Sequence, residues 1–275
     1  MSRYAAQAER LTALLGLRTP PVAVLFGHTR PDGLESTDAV LKGCMFLDVA
    51  RETRRALWAE AANLAACPGG RHYLGLGDAF AKLVQGDFPA DDWPDKGLAV
   101  MGNAKAFRAT YPHYAIMPRD GMAGLGFGPL AGAPFGPEHG RVVVALFLTA
   151  KQGMYLARCA TYESGGVVEG PIGPPTCSIV LTRPALTGRP TYTLGCYGFR
   201  HYVRIGADEV VFGLPLERLD ETVAGLERFM ARRPDYAAML TDEARREADI
   251  ARVHAGTDRL RPYYARETAP ETPPA

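Results

Sequence analysis

The sequence reads as an α/β or α+β protein: a mixed sheet with a central buried strand near residues 142–148 and helices flanking it. Three observations carry that reading. Val142-Val143-Val144-Ala145-Leu146-Phe147-Leu148 is a near-continuous apolar run, as expected of a strand covered on both faces. A helix then follows from Lys151 to about Tyr162 and closes at Gly165-Gly166, so that strand and helix form at least one α/β unit. Leu219, Val223, Leu226 and Met230 recur at i, i+4, i+7 and i+11, the apolar stripe of an amphipathic helix.

The remaining elements follow from the same patterning. Ser2 caps a first helix whose Ala5, Ala8, Leu11 and Leu15 share a face, and Gly16 ends it as a left-handed residue. Val22–Phe26, between Pro21 and Gly27, is a buried strand. The spacing of Leu47, Ala50, Leu57, Ala61 and Leu64 predicts a helix over about 45–64, with Arg51, Arg54 and Arg55 on its wet side. Short strands are expected at Leu98–Met101, Tyr114–Met117, Ile179–Thr182 and Glu209–Phe212, and a charged helix from about Asp242 to Val253. Gly124-Leu125-Gly126-Phe127-Gly128 lacks phosphate-loop spacing and runs into Pro129, so a mobile or ligand-covering loop is expected there. Residues 1–262 are expected as one globular unit, with two lobes at about 1–140 and 141–262, and 263–275 as a disordered tail.

Composition narrows the function classes. Thirty-one Lys and Arg against 30 Asp and Glu leave a net charge of +1, without the basic footprint that binds a phosphate backbone, so nucleic acid is not an expected partner. Glu9 and Arg10 interrupt the first helix, unlike a signal peptide, and no run approaches the roughly 20 apolar residues of a membrane span. The expectation is a cytoplasmic protein with no membrane partner, in which five cysteines stay reduced rather than forming a disulfide framework.

Four of the cysteines sit among turn formers: Cys44 after Gly43, Cys67 in Cys-Pro-Gly-Gly, Cys177 after Pro-Pro-Thr, and Cys196 in Gly-Cys-Tyr-Gly. Gly and Pro suit turns in which backbone amides point at sulfur, as around iron–sulfur ligands. Cys44, near a helix N-terminus, is expected to have its thiolate favoured by the positive end of the helix dipole. Separations of 22 residues between Cys44 and Cys67 and 18 between Cys177 and Cys196, with no C-x-x-C pair, leave a cluster, a zinc site and ordinary buried thiols all open. Cys159, beside Ala157 and Ala160 on its helix, reads as core.

Further motifs bear on that choice. Cys-Pro-Gly-Gly with Leu-Gly-Leu-Gly-Asp (67–78), Ala-Thr-Tyr-Glu-Ser-Gly-Gly (160–166), Leu-Thr-Gly-Arg-Pro-Thr-Tyr-Thr-Leu-Gly-Cys-Tyr-Gly-Phe-Arg (186–200) and Asp-Glu-Val-Val-Phe-Gly-Leu-Pro (208–215) follow one another in an order that resembles the DUF169 family of bacterial and archaeal proteins. The resemblance spans roughly residues 10 to 230. It implies a family cysteine set at Cys44, Cys67, Cys177 and Cys196, with Cys159 outside it, and no settled activity. Pro137-Glu138-His139-Gly140 and the 148–155 segment depart from the family pattern, which bears on a substrate pocket and leaves the cysteine set intact.

With the resemblance, the expected site is a [4Fe-4S] cluster held by Cys44 with Cys67 and Cys177 with Cys196, at a cleft between N-terminal and C-terminal portions. The expected role is redox: an iron–sulfur oxidoreductase or electron carrier acting on a small-molecule substrate or a redox partner protein, or a factor for maturation of a redox enzyme. Structural Zn²⁺ on the same thiolates is the first alternative, and a metal-free small-molecule-binding protein the second. Tyr162 and Glu163, before a Gly-Gly turn, are candidate proton donors at a cleft mouth. Arg200 and His201 bring a cation and a titratable group near Cys196, and His72 offers an imidazole five residues after Cys67.

Overall fold

A computed structural model describes residues 4–78, 104–173 and 175–255. The first helix, α1 (Ala5–Leu15), buries Ala5, Ala8, Leu11 and Leu15 and ends at Gly16 in the left-handed conformation, φ 62°; its Ser2 cap lies outside the described residues. β1 (Val22–Gly27) follows, then the two-residue β2 (Glu35–Ser36), α2 (Gly43–Thr53) and β3 (Leu57–Ala59). After α3 (Pro68–Tyr73) and α4 (Ala104–Thr110) come β4 (Gly124–Pro129), β5 (Gly140–Thr149) and α5 (Ala150–Ala160). A helical run begins at Thr176, loosens into π geometry over Ser178–Thr182 and tightens into α6 (Arg183–Thr187). β6 (Thr191–Thr193), α7 (Tyr197–Tyr202), β7 (Glu209–Pro215) and α8 (Leu219–Arg232) complete the main unit, Met1–Phe229. A second unit, Met230–Ala275, contributes α9 (Pro234–Thr241) and α10 (Glu243–Ala255), which pack on each other.

The seven strands form one mixed sheet in the order β2-β3-β4-β1-β5-β7-β6, with helices flanking it. Among the described residues only the β2–β3 pair is parallel; every other neighbouring pair of strands is antiparallel. β5 is central: its near-continuous apolar run lies between β1 and β7, and Val143 through Ala145 are completely buried. Because β7 runs antiparallel to both neighbours, β5 and β6 are parallel with one strand between them, so the strand-to-helix step after β5 is a crossover that skips a position. Thr149 starts that step with a reciprocal cap: its hydroxyl accepts from the Gln152 N–H, and the Gln152 carbonyl oxygen accepts from the Thr149 N–H. The Gln152 amide also donates to the carbonyls of Leu15 and Gly16, tying α5 to the end of α1.

Four expectations are corrected. The helix over 45–64 stops at Thr53, because Arg54 takes the left-handed conformation, φ 57°, and the chain then enters the sheet as β3. Arg51 is buried instead of solvated, its guanidinium paired with Asp48 at 2.9 Å and lying 4.1 Å over the Phe147 ring. The segment Ile179–Thr182 is π-helical, with the Ile179 carbonyl accepting from the Thr191 hydroxyl at 2.6 Å and the Thr182 hydroxyl donating to the Tyr73 carbonyl at 2.9 Å. Gly124–Gly128 forms the buried strand β4 in place of a covering loop: a side chain at Gly124 would start 2.6 Å from the Trp58 ring and 2.7 Å from the Ala59 carbonyl.

Tyr114–Met117 is also not a strand; the Ala115 N–H donates to Ser178 Oγ, which donates back to the Ala115 carbonyl, so a side chain supplies what a ladder would have. The Leu98–Met101 strand and the 263–275 tail lie outside the described residues. Among the described residues no helix is long and apolar enough to cross a membrane.

Candidate functional site

Each of the four family-pattern cysteines begins, or nearly begins, a helix. Cys44 is in the first turn of α2, Cys67 is the N-terminal cap residue of α3, Cys177 is the second residue of the 176–187 helical run, and Cys196 is the cap residue of α7. Local chemistry sets these positions. Pro68 follows Cys67 at the one helical position where a missing N–H costs nothing, and Gly195 adopts a left-handed φ of 91° that turns the chain out of β6 into α7. The first-turn amides lie beside the sulfurs: the Ser178 N–H bonds to Cys177 and the N–H of Cys44 points back at its own sulfur, and each favours the thiolate.

Long-range contacts bring the four starts together. Gly70 sits against the Cys67 sulfur, where a Cβ would fall 2.6 Å from Sγ and 3.9 Å from the backbone nitrogen of Gly43 at the head of α2. Lys42 donates to the Ala66 carbonyl at 3.3 Å and places its ammonium 4.5 Å over the Tyr202 ring of α7, bridging the Cys44, Cys67 and Cys196 segments. The Cys196 N–H donates to Thr176 Oγ1 at 2.7 Å, and the Thr182–Tyr73 bond holds the helical run on α3. Beneath the group, Asp48 accepts from Arg51, from the Arg204 N–H and from the Arg204 guanidinium, while Arg51 also donates to the Arg204 carbonyl. That network fixes α2 to the segment after α7, and Phe147 stacks on Phe199 alongside it at 5.9 Å.

The thiols feel one another. Burial raises the Cys44 pKa to about 12, with Cys67 and Cys196 adding to the rise. Burial likewise raises Cys177 well above the ordinary thiol value, and Cys67, Cys196 and Cys44 all contribute. The expected depression of Cys44 by its helix terminus is therefore overturned: desolvation and neighbouring thiols outweigh the dipole. Cys44, Cys177 and Cys196 pack against the main apolar core. The thiols lie within electrostatic reach of one another, but among the described residues no group of three or more His, Cys, Asp and Glu side chains is gathered so that it could hold a metal ion. The donor chemistry nevertheless fits a thiophilic centre: four sulfurs of the type that iron–sulfur clusters and zinc take, set at helix starts, with a backbone amide on the sulfurs of Cys44 and Cys177.

The other candidate residues divide. Arg200 donates to the carbonyls of Leu194, Gly206 and Glu209 at 2.6, 2.8 and 2.5 Å, so it braces the backbone around Cys196 and the start of β7. His201 is exposed, its ring stacked 5.8 Å from Tyr197 and edge-on to Tyr202 at 4.7 Å. Glu163 pairs with Arg228 at 2.6 Å, and Arg228 also lies 5.6 Å from the Tyr162 ring, so both side chains turn toward α8. His72 is buried with Nε2 2.5 Å from the Tyr111 hydroxyl, and burial lowers its pKa. Cys159 is fully buried on α5, as its alanine neighbours suggest.

Sequence reading missed the supporting residues Lys42, Asp48, Arg51, Gly70 and Thr176. Only Gly70 carried a local signal, as the second glycine of Cys-Pro-Gly-Gly.

The comparisons agree with the motif order. The model of the DUF169 family, described as uncharacterised ArCR, matches residues 10–225. An uncharacterized protein of Methanocaldococcus jannaschii, MJ0308, is 25% identical over 229 residues, covering 81% of this chain and 93% of that protein. No solved structure matches the chain. Cys44, Cys67, Cys177 and Cys196 all lie inside the matched region, and the chain belongs to the DUF169 family.

Proposed function

We propose that Cys44, Cys67, Cys177 and Cys196 together hold a [4Fe-4S] cluster and that the protein works in redox chemistry, passing electrons to a small substrate or a partner, or serving the maturation of a redox enzyme. What supports this reading is that four cysteines of the family-matched region stand at four helical starts tied to one another by Lys42, Thr176 and the Asp48 network. When bound, such a cluster supplies one-electron transfer at a potential set by charge, hydrogen bonds to sulfur and exposure. The chain's own residues bear on each of those settings. The Ser178 N–H donates to the Cys177 sulfur, Lys42 adds a positive charge beside Cys44, and the core around Phe147 and Phe199 limits water on the inner side. The Cys44 and Cys177 thiols, raised well above the ordinary value, are protonated at neutral pH, so loading requires their protons to leave and the sulfurs to close in.

A cysteine series tests the assignment. Protein purified without oxygen is assayed for iron, sulfide and zinc in the parent and in Cys44→Ser, Cys67→Ser, Cys177→Ser, Cys196→Ser and Cys159→Ser. The reading expects each of the first four to lose most bound iron and Cys159→Ser to retain it. Equal iron in all five variants, or iron in none with the parent also empty after reconstitution, contradicts it. One zinc per chain, lost in the same four variants, would transfer the site to a structural role.

A further inference from the structure

A second site lies at the other end of the helical run that begins at Thr176 and carries Cys177. A cleft of about 810 Å³ opens there, within the size range of small-molecule sites. Two of the motifs that mark the family line it: Thr161, Ser164, Gly165 and Gly166 come from the 160–166 segment, and Arg189 and Thr191 from the 186–200 segment. Arg183, at the head of α6, and Arg218, in the turn before α8, complete a wall with three guanidinium groups.

The three arginines are not equivalent. Arg218 is held in place, donating to the Ala160 carbonyl at 3.0 Å and to Ser164 Oγ at 3.1 Å, and pairing with Glu221 at 3.2 Å. Among the described residues neither Arg183 nor Arg189 has a carboxylate within ion-pair distance, although Glu169 also lines the cleft and Glu217 lies against Gly188 nearby. Both arginines thus line a concave polar surface without an ion-pair partner among the described residues. In the same lining, Gly165 and Gly166 adopt φ of 67° and 87° with open space where side chains would stand.

We propose that this cleft binds a small molecule through an oxyanion, a phosphate or carboxylate group, with Arg183 and Arg189 as its charge partners and Arg218 and Ser164 shaping the floor. The assignment stands apart from the cysteine reading, since none of the four cysteines is among the residues that line the cleft. The helical run spans roughly 15 Å from Cys177 to Thr187, so the two sites share one rigid element.

The test is calorimetric titration of the full-length protein, at constant ionic strength, with inorganic pyrophosphate and separately with citrate. Saturable one-site binding of at least one anion is expected, weakened about tenfold or more in Arg183→Gln/Arg189→Gln and unchanged in Arg245→Gln on the second unit. Pyrophosphate alone binding assigns a phosphate ligand, and citrate alone a carboxylate. Binding of neither anion, or a loss in the double variant smaller than tenfold, overturns the proposal. If the double variant does not fold, Arg189→Gln alone, at an exposed position, is titrated and must weaken binding at least threefold.

Discussion

The backbone N–H of Cys196 donates to Thr176 Oγ1 at 2.7 Å, so the residue that precedes one cysteine fixes the backbone of another 20 positions away. Thr176 is 2% exposed. Replacing it with Val keeps the volume but leaves the Cys196 N–H without its acceptor, at a cost of about 1–3 kcal/mol. Urea unfolding of Thr176→Val should register that loss, with bound metal per chain lower than in the parent. Unchanged stability and metal content would mean that this bond does not position Cys196.

Gly70→Ala should disturb the site more than the fold. The added methyl would start 2.6 Å from the Cys67 sulfur, so Cys67 must move while α3 gains helix propensity. The expected outcome is a melting temperature within a few degrees of the parent and clearly reduced metal binding. Gly69→Ala, one position away, serves as the control that should bind normally.

Asp48 and Arg51 form a buried pair, and breaking it from one side should be costly. Arg51→Met leaves Asp48 with Arg204 as its one charged partner among the described residues and removes the cation over Phe147; a loss of about 3–5 kcal/mol is expected. Asp48→Asn/Arg51→Met should lose less than the sum of the two single changes, and a double-mutant cycle in urea measures the difference. Additive losses would remove the pair as the link between α2 and the segment after α7.

The raised thiols give the metal-free protein an alkaline weakness. A thiol whose pKa is higher folded than unfolded stabilises the fold fully below the unfolded value of 9.0, and that contribution is lost as pH climbs toward the folded value, about 12 for Cys44. Stability should fall from pH 9 upward by about 1.4 kcal/mol per pH unit for each such thiol. Cys44→Ala should flatten the profile relative to the parent, as read by urea midpoints between pH 8 and 11. Metal loading at pH 7 must also release protons, and zinc added to weakly buffered protein should liberate up to about four per chain.

The elements with strong periodicity were legible: α1, β1, β5, α5 and α8 lie where their apolar spacing places them. The misread elements share a physical cause, a local pattern overridden by a distant partner. Leu57, Ala61 and Leu64 continue the helical spacing of α2 by coincidence, and the break falls at Arg54, which carries no glycine or proline to announce it. Ile179–Thr182 is too short and too buried for periodicity to separate strand from helix. The glycines of β4 weaken its apolar signal, yet they are there because Trp58 and the Ala59 carbonyl approach so closely. Turn residues around the four cysteines and the family motifs marked them as a set. Lys42, Thr176 and the Asp48 network tie the segments that carry them, contacts between residues up to 156 positions apart that no local spacing encodes.

The most direct test of the central claim is the absorption spectrum of protein purified without oxygen, with iron and acid-labile sulfide measured on the same sample. The account predicts a brown protein with a broad band near ~400 nm and about four iron and four sulfide per chain, bleached by reductant. A colourless protein that takes up neither iron nor sulfide on anaerobic reconstitution, with five thiols that all react freely once unfolded, would contradict it.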